Sequence, residues 1–163
     1  MDNSGLIYCI DKMTGLLGKK KQMLHEMLEL TKAQTEVIAA ESLDKLQKLV
    51  EDKQSVIDRI DELDDEFTGH MEKLKSAVGI NKLEDIDVSR FPEAKRLKQA
   101  VSEVLDLVRE ISGIEKINSV KSKKLLEQLG SQIQKINQGK KINNAYNRQN
   151  AAGATSFFLD KKK

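Results

Sequence analysis

This chain of 163 residues is poor in the residues that build thick globular cores and reactive sites. Aromatic residues make up 4%, tryptophan is absent and there is one proline. Leu, Ile, Val and Met therefore supply most of the apolar surface, which favours packed helices over a thick core. The single cysteine, Cys9, excludes an internal disulfide, and two separated histidines, His25 and His70, provide no structural zinc set.

Long apolar runs are also missing. The sequence has no stretch of about 18 apolar residues and no N-terminal apolar segment followed by a cleavage site. Neither membrane spanning nor secretion is supported, so we expect a cytoplasmic protein.

Charge is unevenly distributed along a chain whose net charge is only +2. Residues 114–163 contain 11 Lys or Arg and 3 Asp or Glu, a local balance of +8, whereas residues 1–113 total −6. Charged residues make up 33% of the chain, a proportion typical of long helices and coiled coils. The last third is therefore the basic end of the protein.

Apolar residues recur at helical spacing in three long segments, which predicts three helices. The first stripe runs from Leu6 to Leu28. Gly15 and Gly18 interrupt this helix and its stripe becomes polar at Thr31 and Thr35, so we expect its middle and far end to be loosely packed. A short link then leads to a second helix over residues 42–77. The brevity of the link favours an antiparallel hairpin.

The third segment begins near Pro92, which suits the first turn of a helix. Its apolar stripe continues through Ile114 and Ile117. Either the helix runs past the glycines at 113 and 130, which gives it about 45 residues, or one of these glycines breaks it. Asn118 interrupts the apolar run. It either fixes the helix register from within the seam or lies exposed beside it.

Helical periodicity ends after Gln138, where the composition changes to Gly, Asn, Ala, Gln, Ser and Lys. Such a segment cannot bury enough apolar surface to offset the entropy of ordering. The predicted fold is all-α. Three long antiparallel helices, a coiled-coil-like hairpin plus a third helix, form a domain over residues 1–138, and residues 139–163 form a flexible basic tail.

Signals of catalysis or metal binding are weak. The glycines and lysines from Gly15 to Lys20 lack the spacing, the Ser or Thr, and the preceding strand of a phosphate-binding loop. The carboxylates between Asp58 and Glu66 lie on a helix whose apolar residues face inward, which makes them a solvated face. No nucleophile, base and orienting group occurs at workable spacing, so we expect no enzyme, cofactor or metal.

The basic tail offers two further hypotheses. Its lysines could neutralise the phosphates of a nucleic acid, but no aromatic-interleaved basic face accompanies them, so nucleic acid is not the favoured partner. Phe157 and Phe158 would gain nothing from exposure, so they either dock to a partner or pack back on the helices.

Three stretches together resemble the FlgN family of flagellar export chaperones. They are the second-helix stretch Leu46–Gln54, the third-helix pair Ile117-Asn118 followed by Leu125-Leu126-Glu127, and the closing Tyr146–Asn150. Each motif is weak alone. Their order and spacing, together with the total length and the tail, carry a resemblance that covers nearly the whole chain.

The resemblance implies an all-helical cytoplasmic chaperone that binds hook–filament junction proteins of the FlgK and FlgL type. Such a chaperone prevents premature assembly and delivers its cargo to the type III export gate, of the FlhA type. It also implies that the C-terminal amphipathic helix holds the cargo, which in this chain assigns substrate binding to Leu125, Leu126, Leu129, Ile133, Ile136 and Ile142. By the same analogy, we expect Tyr146, Phe157 and Phe158 to dock at the gate, with no small-molecule substrate.

A structural coiled-coil adaptor, or a stalk protein of the export apparatus, is the alternative function. Such a protein would use the rod formed by the first two helices as its contact surface. It would therefore tolerate deletion of residues 139–163.

Overall fold

The computed structural model describes residues 2–136, and within this range the chain forms three long α-helices and no strand. These are α1 (Asn3–Ala39), α2 (Leu43–Val78) and α3 (Ala94–Ile136), with a short 3₁₀ helix at Leu83–Asp85 in the α2–α3 loop. The all-α prediction is confirmed. The predicted second helix, residues 42–77, is displaced by one residue from the observed one.

The turn between α1 and α2 is a tight helix C-cap. The Ser42 amide donates to the Val37 carbonyl at 3.1 Å and the Glu41 amide donates to the Ile38 carbonyl at 3.0 Å. This pair of bonds is the Schellman motif, which needs a left-handed residue at the position of Glu41. Glu41 meets this need with φ of 57°, although it is not glycine. The chain therefore reverses within three residues and α2 follows α1 as a hairpin.

Gly79 ends α2, as the sequence predicts. Its φ is +73°, and its amide donates to the Lys75 carbonyl at 2.8 Å. Glycine is suited to this place because a left-handed backbone clashes with a Cβ atom. Pro92 lies two residues before the first residue of α3, in a turn closed by a bond from the Ala94 amide to the Phe91 carbonyl.

The third helix is continuous for 43 residues, through both Gly113 and Gly130. One part of its predicted stripe is wrong. Ile117 is 55% exposed, and the neighbouring buried positions of α3 are Glu115 and Asn118. Between residues 115 and 122 the helix therefore buries Glu115, Asn118 and Ser122 and exposes Ile117 and Val120.

The described residues fall into two compact units. The first unit contains residues 2–26 and 56–108. Here α1 and α2 run antiparallel, because Lys20 pairs with Asp64 at 2.7 Å and, farther along α1, Glu26 pairs with Arg59 at 3.2 Å. All 17 buried residues of this unit that form its core are apolar, and no buried polar or charged residue accompanies them.

The second unit contains residues 27–55 and 109–136. Its α1 and α2 segments are also antiparallel, and α3 runs parallel to α1, since Thr31 meets Glu115 and Thr35 meets Asn118. Successive helices thus alternate in direction. This unit buries seven apolar residues and six polar or charged ones. Its interior is therefore chemically unlike that of the first unit.

Candidate functional site at the end of the third helix

The described residues predicted to bind an exported protein form a strip along the end of α3. Leu125 and Leu126 are buried, with 5% and 7% of their surfaces exposed. Leu129 and Ile133 are half-buried, and Ile136 is 78% exposed. The strip is therefore continuous with the core at one end and open to solvent at the other.

The buried end of this strip packs in a small apolar cluster. Ile38 of α1, Leu46 of α2 and Leu125 of α3 form its centre. Three half-buried residues pack against them: Val37, Leu43 and Leu129. Because α1 ends and α2 begins within a few residues of these side chains, the cluster lies beside the α1–α2 turn.

A buried polar layer precedes this cluster in the second unit and joins all three helices. Lys53 of α2 forms an ion pair with Glu115 of α3, and its ammonium donates to Gln34 Oε1 of α1 at 2.6 Å. The Thr31 hydroxyl donates to the Met27 carbonyl at 2.7 Å and lies 3.3 Å from Glu115 Oε1. Lys53 and Glu115 are 3% and 1% exposed, so water does not reach the pair.

Asn118 extends the polar layer toward the apolar cluster. It is 2% exposed, and its Nδ2 donates to the Thr31 carbonyl at 3.0 Å. Its Oδ1 accepts from the Thr35 hydroxyl at 2.8 Å. Of the two interpretations of Asn118, the structure supports the residue within the seam, where a buried amide can fix register.

The polar layer determines the register of the three helices, that is, which residues of each helix lie beside one another. A buried ion pair adds little net stability, because the cost of removing both charges from water offsets their attraction. A displaced helix would leave Lys53 or Glu115 buried without the other, which costs about 3–5 kcal/mol. The layer thus holds α3 in one register.

The model of the family described as FlgN protein matches residues 6–153 of this chain. The chain belongs to the FlgN family. This is a family of flagellar export chaperones, which bind flagellar proteins, and not a family of enzymes. No curated protein and no solved structure matches the chain.

The FlgN match extends beyond the residues that the structure describes. Ile142, Tyr146, Phe157 and Phe158, which sequence analysis assigns to cargo binding and gate docking, lie outside the described residues. So does the predicted tail over residues 139–163. The structure thus brings together the first five predicted cargo residues of this FlgN chain and does not place the others.

Within the described part of this FlgN chain, no group of acidic, histidine or cysteine side chains has the arrangement of a metal site. Among residues 2–136, no helix combines the length and the apolarity that crossing a membrane requires. Most of the carboxylates between Asp58 and Glu66 are exposed to solvent.

The exposed side of α3 was not predicted from the sequence. Ile117 is 55% exposed and Val120 is 68% exposed, and both lie in the middle of a helix of this FlgN chain. The signal was present as repeated steps of three residues, from Ile111 through Ile114 and Ile117 to Val120. Since each residue advances about 100° around a helix, each such step rotates the side chain about 60° backwards. Three steps carry Val120 to the side opposite Ile111.

Proposed function

We propose that this chain is a cytoplasmic chaperone for hook–filament junction proteins of the FlgK and FlgL type. The end of α3 holds the cargo through Leu125, Leu126, Leu129, Ile133, Ile136 and Ile142. The chain then delivers the cargo to an export gate of the FlhA type. Family membership supports the general role, and the graded exposure of the strip on α3 supports the site.

The increase in solvent exposure from Leu126 to Ile136 is the single observation that carries this proposal. An exposed Ile136 gives a guest helix a first contact without any change in the chaperone. The half-buried Ile133 and Leu129 extend this contact toward the core. A guest helix that binds in this direction meets Leu125 last, where Ile38 of α1 and Leu46 of α2 now cover it.

Complete binding therefore requires an exchange of partners. The guest helix replaces the contacts that Ile38 and Leu46 make with α3, in the manner of a helix binding in a groove. Each leucine that leaves the core costs about 1.5–3 kcal/mol, and the guest restores a similar amount when it covers the same side chain. The net affinity then depends mainly on Ile133 and Ile136, which are not fully covered in the free chain. An exchange of this kind is reversible, as delivery requires.

A comparison of two substitutions in the last turn of α3 tests the cargo site. We expect Ile136→Asp to weaken binding of a purified FlgK-type or FlgL-type protein by roughly tenfold or more, because one charge enters an apolar contact. Isothermal titration calorimetry on the full chain measures the effect. Gln134→Asp is the matched control, since it adds the same charge on the other side of the same turn and should leave affinity unchanged.

Equal affinities for the two variants would place the cargo elsewhere. Circular dichroism of both variants checks that α3 is intact. Leu125 and Leu126 are unsuitable for this test because they are part of the core.

Gate docking by Tyr146, Phe157 and Phe158 is tested separately from cargo binding. We expect Tyr146→Ala to reduce binding of the cargo-loaded chaperone to the cytoplasmic domain of an FlhA-type gate protein and to leave cargo affinity unchanged. Phe157→Ala with Phe158→Ala should act in the same way. Loss of cargo binding with gate binding intact would contradict this assignment.

A further inference from the structure

The solvent side of α3 in the second unit carries an unusual set of side chains. Between residues 112 and 126, the exposed residues are two aliphatic residues, four lysines and one glycine. They are Ile117, Val120, Lys116, Lys121, Lys123, Lys124 and Gly113. Glu115, the only carboxylate in this stretch, is buried in the polar layer, and the exposed Glu110 and Glu127 lie at the two ends of the stretch. We call this surface the lysine-rimmed ridge.

The apolar pair of the ridge has no role in the fold of the second unit. Ile117 and Val120 point away from the core, and the core positions beside them are occupied by Glu115, Asn118 and Ser122. A single exposed aliphatic side chain needs no explanation. Two β-branched residues one turn apart, in a stretch whose interior is polar, form a small apolar surface that the rest of residues 2–136 leaves exposed.

The spacing of the ridge suits a second helix lying along α3. Gly113, Ile117, Val120 and Lys124 follow one another at steps of four, three and four, the spacing of a coiled-coil seam. Gly113 has no atom within 4 Å of the place where a Cβ would lie. A neighbouring helix can therefore approach the α3 backbone closely at that level.

The charge of the ridge indicates the chemistry of its partner. None of Lys116, Lys121, Lys123 and Lys124 forms an ion pair with another residue in the described range. Their aliphatic stems can widen the apolar surface while their ammonium groups stay in water. A helix whose apolar stripe has Asp and Glu on both sides would cover the apolar pair and place carboxylates beside the lysine ammonium groups.

Other occupants fit less well. A second copy of the ridge would bring eight lysines together. Residues 137–163 of the same chain carry six Lys or Arg against one Asp, so this segment would also bring like charge to the ridge. Charge complementarity thus favours a different protein.

We propose that the lysine-rimmed ridge is a docking site for an acidic amphipathic helix of a partner protein. The ridge lies outside the described part of the strip assigned to the cargo, residues 125–136, and the inference does not depend on the flagellar role. The two surfaces lie on different sides of α3, because Leu125 and Leu126 are buried where Ile117 and Val120 are exposed.

The test uses the full chain and two synthetic helical peptides as probes. Both peptides have leucines at coiled-coil spacing, and they differ only in flanking glutamates or lysines. Fluorescence anisotropy should show that the glutamate peptide binds, that salt weakens this binding, and that the lysine peptide does not bind. The double variant Ile117→Ser with Val120→Ser should weaken binding by about tenfold or more, and Lys121→Glu with Lys124→Glu should abolish it.

Two control variants separate this site from other apolar surfaces. Leu105→Ser removes another exposed side chain of α3, which is 46% exposed, and should not change peptide affinity. Ile136→Asp, which tests the cargo site, should also leave it unchanged. If only Ile136→Asp weakens binding of the glutamate peptide, the peptide binds the cargo strip and the ridge proposal is overturned.

Anionic lipid vesicles and duplex DNA serve as competing probes, since lysines also attract these surfaces. The proposal is overturned if the glutamate peptide does not bind, or if the ridge variants leave its affinity unchanged. It is also overturned if the ridge variants abolish binding of vesicles or DNA but not of the peptide.

Discussion

The side chains of the buried polar layer show how single residues can define a helix arrangement that apolar packing leaves open. Leucine and isoleucine stripes can slide by a turn and still bury apolar surface. The ion pair of Lys53 and Glu115 does not tolerate such a shift, because either side chain would then be buried without its partner. Asn118 adds a second constraint through Thr31 and Thr35. Register in the second unit is therefore fixed by polar residues.

Removing one partner of the buried ion pair should destabilise the protein strongly. We expect Glu115→Ala to lower the free energy of unfolding by about 3–5 kcal/mol, because Lys53 then stays buried without its carboxylate. Urea denaturation measures the change. Lys48→Ala, which removes a lysine of the exposed Lys48–Asp52 pair, is the matched control and should leave the midpoint unchanged.

The double variant Lys53→Met with Glu115→Leu separates pairing from packing. It should recover much of the stability that Glu115→Ala loses, since apolar groups of similar size replace both charges. A double variant no more stable than Glu115→Ala would show that the pair itself contributes most of the stabilisation.

A second ion pair, Lys21 with Glu103 at 2.9 Å, links α1 and α3 in the first unit. The hydrogen bond from Lys21 is the main cause that lowers the pKa of Glu103, and a bond from Gln99 lowers it further. A carboxyl group with a lowered folded-state pKa stabilises the fold above its unfolded-state pKa. This stabilisation is lost as the pH falls through the folded-state value.

The pH dependence of one variant tests this pair. We expect the urea midpoints of wild type and Lys21→Ala to differ most near neutral pH and to converge in acid, below the usual carboxyl range. Added salt should also reduce the difference, because both side chains are exposed to solvent. A difference that stays constant into strong acid would mean that Lys21 acts through packing of its stem.

At the scale of the helices, most of the architecture follows from the sequence. The 3-4 spacing of apolar residues predicts α2 to within one residue, and the predicted length of about 45 residues for the third helix compares with 43 observed. The failure lies at Ile117, where apolar residues at successive steps of three leave the buried face. Burial of Lys53 and Glu115 could not be predicted, because charged residues are buried only when tertiary structure supplies partners.

The two helix ends with left-handed residues should respond oppositely to substitution. Glu41→Gly should raise stability by roughly 0.5–1 kcal/mol, because it removes the Cβ strain of a residue at φ of 57°. Gly79→Ala should lower stability by a similar amount, because it introduces that strain at φ of +73°. Thermal and urea unfolding measure both.

Gly69→Ala is the control for the glycine substitution. Gly69 is inside α2, more than two turns before its end, with open space where a Cβ would lie, so alanine should stabilise the helix by about 0.5–1 kcal/mol. If Gly69→Ala and Gly79→Ala had the same sign, helix propensity and not backbone strain would determine the result at residue 79.

At the scale of the whole molecule, the two units differ in how their cores are built. Among residues 2–136, the first unit buries 17 apolar residues and no polar or charged ones, whereas the second buries seven apolar and six polar or charged residues. Burial of apolar area is the main source of stability, so the second unit has less of it. The change of the α1 stripe from apolar to polar at Thr31 and Thr35 is the feature of the sequence that indicates the polar interior of the second unit. The proposed cargo strip belongs to the second unit.

Hydrogen exchange measured by mass spectrometry tests this difference. We expect backbone amides of α3 between residues 115 and 136 to exchange faster than those of the same helix between 97 and 108, because local opening follows apolar burial. Adding a bound cargo protein should slow exchange in the first segment. Uniform protection along α3 would mean that the polar layer does not lower local stability, and an exchange of helix partners would then be unsupported.

The buried pair of Lys53 and Glu115 has a consequence for the order of events during translation. A ribosome makes α1 and α2 well before residue 115, so the nascent hairpin contains a lysine whose carboxylate has not yet been synthesised. Such a hairpin gains its full stability only after most of α3 has emerged. A chain that ends before residue 115 should therefore unfold at a lower urea concentration than the full chain.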